Sequence, residues 1–127
     1  MRKTVLFSAL IFAFTLNADL KNSLDKEINS LMEKVIEWRH DIHQYPELGN
    51  REFRTSKKIE DHLVSLGIQV ETKIAYTGVV GLIKGGMPGP TIALRADMDA
   101  LPVEEKTGLP FASKVRTTYL GNDVGVM

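Results

Sequence analysis

The chain has 127 residues, 43% of them apolar and 25% charged, with 16 basic and 16 acidic side chains. That is room for one modest domain, and zero formal charge excludes the basic excess that marks a binder of nucleic acid or an acidic membrane surface. Cysteine is absent, so no disulfide framework and no thiolate zinc site exists within the chain; the three histidines, His40, His43 and His62, make a metal site hard to assemble by themselves.

Residues 1–18 stand apart. Met1-Arg2-Lys3 is a short basic start, Thr4 to Leu16 carries no charge, and Asn17-Ala18-Asp19 returns to polar sequence. This is the order of a secretory signal peptide, with cleavage expected after Ala18. The apolar run is short for a membrane-spanning helix, which needs roughly 20 residues. Loss of Arg2 and Lys3 leaves the mature chain, residues 19–127, slightly acidic. A periplasmic or secreted destination follows, without membrane attachment after cleavage.

The apolar positions Leu24, Ile28, Leu31, Val35, Trp38 and Ile42 are spaced by three and four, which predicts one face of an α-helix. The run is too short for a coiled coil, so this face is expected to pack on a domain core. Pro46 ends the helix. Asn50 is the expected N-cap of a second helix running to about Leu66, with Phe53, Ile59, Leu63 and Leu66 inward. Gly67 suits the left-handed residue that closes it. Ile68, Val70 and Ile74 alternate as in a half-buried strand. Gly78 to Ile83 reads as a second strand, and Gly85 to Pro90 as a tight reversal.

Thr91 to Pro102 follows. Ile92-Ala93-Leu94 after β-branched Thr91 reads as an interior strand, and Asp97 and Asp99 fall where it ends, because aspartate is a poor strand former. In open α/β sheets ligands bind beyond the carboxyl ends of the strands. Two carboxylates there suit chemistry; equally, they suit a turn cap or a pair with Arg95. Beyond Pro102, residues 103–111 read as a loop with at most one helical turn, and Tyr119 to Met127 shows no clear element. Helices followed by strands indicate an α/β or α+β sheet covered by helices.

Other groups carry less. His40 and His43 share a helix side, but no third ligand follows, and a helix C-terminus favours imidazolium without any metal. His62 falls on the exposed side of the second helix. The Gly85–Pro90 turn lacks the Lys-Ser/Thr ending of a phosphate loop and leads into a strand. Glu104 and Glu105 read as solvated loop residues.

Taken together, several motifs resemble one family. Trp38-Arg39-His40-Asp41-Ile42-His43-Gln44-Tyr45-Pro46-Glu47-Leu48-Gly49 is similar to the opening of the bacterial amidohydrolases related to hippurate hydrolase, within the aminoacylase–carboxypeptidase metallopeptidase superfamily. Thr77 to Gly81, Gly89 to Glu105 and Thr107 to Ser113 continue the resemblance in register. It implies an α/β fold: the N-terminal part of a three-layer α/β/α metallopeptidase-like catalytic domain, with the lid domain and the rest of the catalytic domain absent. It implies metal-dependent hydrolysis of the amide bond of small N-acyl amino acids, hippurate-like in kind. Two divalent ions (Zn, Mn or Co) serve the full-length enzyme and none is expected in this piece. Full-length members are often homo-oligomers.

In the superfamily the strand ends in His-x-Asp-x-x-Pro. Here Asp97 stands at the His position, Asp99 at the Asp position and Pro102 at the Pro position. The resemblance makes Asp99 the main site candidate, accepting a hydrogen bond from a ligand histidine and fixing its orientation; Asp97 helps to shape the same pocket. A Cys-Gly-His-Asp motif is expected just after Met127, so this piece alone is expected to be inactive. The alternative is a small α/β binding protein, or an inactive remnant.

Overall fold

The computed structural model describes residues 2–127, with side chains from residue 19 onward; the leader expected over residues 1–18 lies outside the side chains described. Two compact units follow one another in the chain, Met1–Arg39 and His40–Met127.

Helix α1 (Arg2–Gln44) contains the helix expected from Leu24 to Ile42 and stops two residues before Pro46. Lys21–Asp25 at 2.6 Å and Lys34–Glu37 at 2.7 Å pair along its surface, and such pairs each add a few tenths of a kcal/mol. Leu24, Ile28, Leu31 and Val35 are exposed on this helix. Periodicity specifies a face suited to burial; it does not supply the surface that buries it.

The turn after α1 buries Pro46 and Leu48. Asn50 sits in the left-handed region at φ 62°, so it shapes the turn and is not the N-cap the sequence predicts. Helix α2 (Phe53–Ser65) follows Glu52, whose own side chain caps nothing. Glu47 caps instead: its carboxylate accepts the amides of Arg54 at 3.0 Å and Thr55 at 2.8 Å. These are donors that an isolated helix start leaves unpaired. The other end closes as expected. Gly67 has φ 72°, Ile68 N–H donates to the Leu63 carbonyl and Gly67 N–H to that of Val64, which is the Schellman pairing.

Strands β1 (Gln69–Ile74) and β2 (Gly78–Leu82) form an antiparallel hairpin, with Gln69 opposite Leu82 and Glu71 opposite Val80. The register breaks between Thr72 and Ile74, where Lys73 has φ 62°. A second hairpin joins β3 (Arg116–Tyr119) to β4 (Asn122–Gly125), in a stretch where the sequence shows no element. Leu120 and Gly121 have φ 50° and 82°, the two positive values of a type I′ loop.

The main correction concerns Thr91 to Leu94. It is not a buried strand: Ile92 is 81% and Leu94 96% exposed. A strand needs neighbours to take its backbone N–H and C=O groups, and the two two-stranded sheets leave this segment out. Pairing begins only at its far end. Ala100 forms a parallel bridge to Leu48, its amide donating to the Glu47 carbonyl at 2.8 Å. Leu101 and Met127 exchange both backbone hydrogen bonds, at 2.8 and 3.0 Å, the signature of an antiparallel pair. Among the described residues the buried hydrophobic ones are Leu48 and Val126, so the core sits on either side of Ala100 and Leu101.

Candidate functional site

Asp99 immediately precedes this doubly paired stretch. Ala100 is fixed on one edge by Glu47 and Leu101 on the other by Met127, so the backbone carrying Asp99 is held although its side chain is exposed. Gly49 faces it: a Cβ at residue 49 would lie 3.5 Å from Asp99 Oδ2. The Pro46–Gly49 turn therefore approaches the carboxylate closely without a side chain of its own. Asp99 makes no ion pair among the described residues, which leaves its oxygens available as acceptors.

Asp97 differs. It pairs with Arg95 at 2.7 Å, and both side chains are exposed. The pair with Arg95 that the sequence allows is therefore formed. Both aspartates border a cleft of about 530 Å³ lined by Ile42, Thr55, Ile59 and Val79. Asp97 and Asp99 thus share one rim, with Asp99 the less committed of the two.

A second polar cluster was not legible in the sequence. His43 Nε2 lies 3.0 Å from Glu105 Oε2. Glu105 also accepts from the Thr107 hydroxyl and the Ser113 amide. Far from being solvated, its side chain is inaccessible to solvent. The hydroxyl of Thr107, with help from His43 and the Ser113 amide, outweighs burial and holds this carboxyl down at about 2. An ionised carboxylate only accepts, so His43 Nε2 carries the hydrogen. His40 stacks on Phe111 at 3.7 Å, and the His43 ring meets the same phenyl edge-on. Among the described residues neither histidine stands in a cluster of three metal-ligating groups.

Asp41, on the same helical turn, accepts from Arg54 at 2.7 and 2.9 Å and from Lys58 at 2.6 Å. These cations, Arg54 first, keep its carboxyl below the ordinary range. This ties the end of α1 to α2 and frames the cleft.

No protein-family model matches the chain. Individual proteins do. Thermostable carboxypeptidase 1 of Saccharolobus solfataricus is 48% identical over 99 residues, which is 77% of this chain and 25% of that protein. Hippurate hydrolase of Campylobacter jejuni is 46% identical over 92 residues, 72% of this chain and 24% of that protein. A crystal structure of a Bacillus subtilis dinuclear metal binding peptidase from the M20 family superimposes with a TM-score of 0.66 at 42% identity, over 78% of this chain and 26% of that one. Over about three quarters of its length the chain is similar to members of this amidohydrolase and metallopeptidase family. N-acetyl-L-cysteine deacetylase of Bacillus subtilis, 51% identical over 87 residues, extends the set to a deacetylase. The chain spans about a quarter of the length of the relatives it matches, and its mixed α/β architecture corresponds to the N-terminal portion of the family fold.

The family's dinuclear member raises the question of metal. Among the described residues no three His, Asp or Glu side chains come together as a ligand set, and Asp97 is already paired with Arg95. The groups present do not by themselves fit a two-metal centre. What they offer is one positioned carboxylate, Asp99, with the chemistry of a hydrogen-bond acceptor.

Proposed function

We propose that this chain supplies the Asp99 rim of the active site of a metal-dependent amidohydrolase that cleaves the amide bond of small N-acyl amino acids. The observation that carries this reading is the arrangement at Asp99: an exposed carboxylate without an ion pair, on backbone fixed at Ala100 and Leu101. Such a group can accept from an imidazole N–H and fix its tautomer and direction, a role whose loss usually lowers metal affinity or activity by about 10–100-fold. The relatives named for hippurate and N-acetylcysteine support a small acylated amino acid as substrate. Asp97 contributes the charge of the same rim, moderated by Arg95.

The reading extends to export. The basic start, the uncharged run from Thr4 to Leu16 and Ala18 support a cleaved leader and a periplasmic or secreted enzyme. Among the described residues no helix is long and apolar enough to cross a membrane.

The deciding experiment reads the gene beyond codon 127 and assays its product. A continuing frame with Cys-Gly-His-Asp, and hydrolysis of hippurate or N-acetyl amino acids that a chelator abolishes and added Zn, Mn or Co restores, is the expected result. Hydrolysis by the isolated 127-residue chain, or tight binding of two metals to it, would overturn the division of labour proposed here.

A further inference from the structure

Among the described residues, Thr55 is the one buried side chain whose polar atom has no hydrogen-bond partner. It is 2% exposed and stands in the first turn of α2. A helical threonine hydroxyl often turns back to a carbonyl three or four residues earlier. Here those carbonyls are engaged: Arg51 receives the Phe53 amide and Glu52 the Ser56 amide. A buried hydroxyl in that state opposes folding, and a ligand that meets it removes the penalty.

Thr55 lines the cleft of about 530 Å³ that Asp97 and Asp99 border. Its other walls are largely apolar, with Ile42, Ile59, Val79 and Met98 half-buried around it. Volume and lining are those of a small-molecule site, in which apolar walls take the body and a few polar groups fix its direction. The charge is one-sided. Arg95 offsets Asp97, Asp99 makes no ion pair among the described residues, and none of the lining residues is basic.

We propose that this cleft binds a small primary amine with an apolar body, its ammonium group donating to the Asp99 carboxylate and to the Thr55 hydroxyl oxygen. An ammonium carries three N–H donors and no acceptor, and both protein groups accept. The apolar body lies against Ile42, Ile59, Val79 and Met98. A carboxylate of the same shape meets Asp99 as a like charge and is rejected. The proposal concerns the cleft alone and does not rest on the amidohydrolase reading.

Benzylamine is the probe, titrated near neutral pH into the 127-residue chain with a chelator present. Methyl NMR should show saturable shifts at Ile59, Val79 and Met98, with a Kd on the order of 1 mM for so small a ligand. Benzyl alcohol should bind about tenfold more weakly, lacking the charge-assisted contact, and benzoate should not bind. Thr55→Val keeps the side-chain shape and should weaken benzylamine about tenfold, the worth of one hydrogen bond to a charged group. Its thermal midpoint should be no lower than that of wild type, because an unpaired hydroxyl is removed. Thr55→Ser, which keeps the hydroxyl, should bind within about threefold of wild type. Benzoate binding as tightly as benzylamine, shifts confined to residues outside the cleft, or no saturation by about 20 mM overturns the proposal. So does Thr55→Val that binds like wild type, or whose midpoint falls by more than about 4 °C, since the hydroxyl then has a partner within the chain. The wild-type titrations decide the matter even if a variant does not fold.

Discussion

Glu47 holds Ala100 with its backbone and α2 with its side chain. The carbonyl receives the Ala100 amide at 2.8 Å, and the carboxylate receives the amides of Arg54 and Thr55. One residue therefore couples the start of a helix to the segment that presents Asp99.

The two functions of Glu47 separate by mutation. Glu47→Ala removes the cap and keeps the carbonyl, so it should cost about 1 kcal/mol, the usual worth of a helix cap. Glu47→Gln keeps one acceptor oxygen and should cost less. Urea midpoints at pH 7 measure both, and two variants as stable as wild type would refute the capping role.

Gly78 tests the β1–β2 turn. A Cβ there would lie 2.5 Å from the Ile74 carbonyl oxygen, and backbone cannot rotate away as a side chain does. Gly78→Ala should destabilise by about 1–3 kcal/mol, as overpacking does. At Gly81 the nearest atoms are side-chain carbons of Ile68 and Leu63 at 3.2 Å, so Gly81→Ala should cost less. Chemical denaturation of the pair gives the comparison, and a reversed order would contradict the geometry.

Acid should weaken the fold in a defined window. Glu105 is held at about 2, against an ordinary 4.5, by Thr107 first and then by His43 and the Ser113 amide. Asp41 is lowered by Arg54 and then Lys58. A carboxyl lowered on folding contributes stability that is complete above its unfolded value and lost as pH falls through its folded one. Stability should therefore decline from about pH 4.5 down to about 2. Glu105→Gln should remove much of that slope, which a series of urea midpoints against pH would show.

Asp99 and Asp97 make opposite demands on two assays. In the 127-residue chain Asp99→Asn should change stability by no more than about 0.5 kcal/mol, as for most exposed positions. In the longer protein the same substitution should lower amidohydrolase activity by about 10–100-fold. Asp97→Asn removes an exposed pair with Arg95 and should cost at most about 1 kcal/mol, with a smaller loss of activity. Steady-state rates on hippurate beside thermal melts test this, and an Asp99 variant of wild-type activity would remove it from the site.

What the sequence made legible was local. The spacing from Leu24 to Ile42 placed a helix inside α1, Gly67 marked the end of α2, and the alternation through Ile74 found β1. The misses came from contacts over distance or from missing partners. Glu47 caps α2 from seven residues upstream of Arg54, and His43 meets Glu105 across 62 residues, so neither shows in a local window. The β3–β4 hairpin is polar, with only Thr117, Thr118, Tyr119 and Gly121 as signals. Thr91 to Leu94 failed for another reason. Its composition describes a burial, and the chain spans only a quarter of its relatives' length.

The reciprocal bonding of Leu101 and Met127 has a practical side. Antiparallel pairing aims whatever is joined to the Met127 carboxyl back along Ala100 toward Asp99. A purification tag, a fluorophore or a crosslinker attached at that end would be delivered to the aspartate rim and would interfere with any measurement made there. The same placement turns a photoreactive group on the C-terminus into a proximity label for that rim.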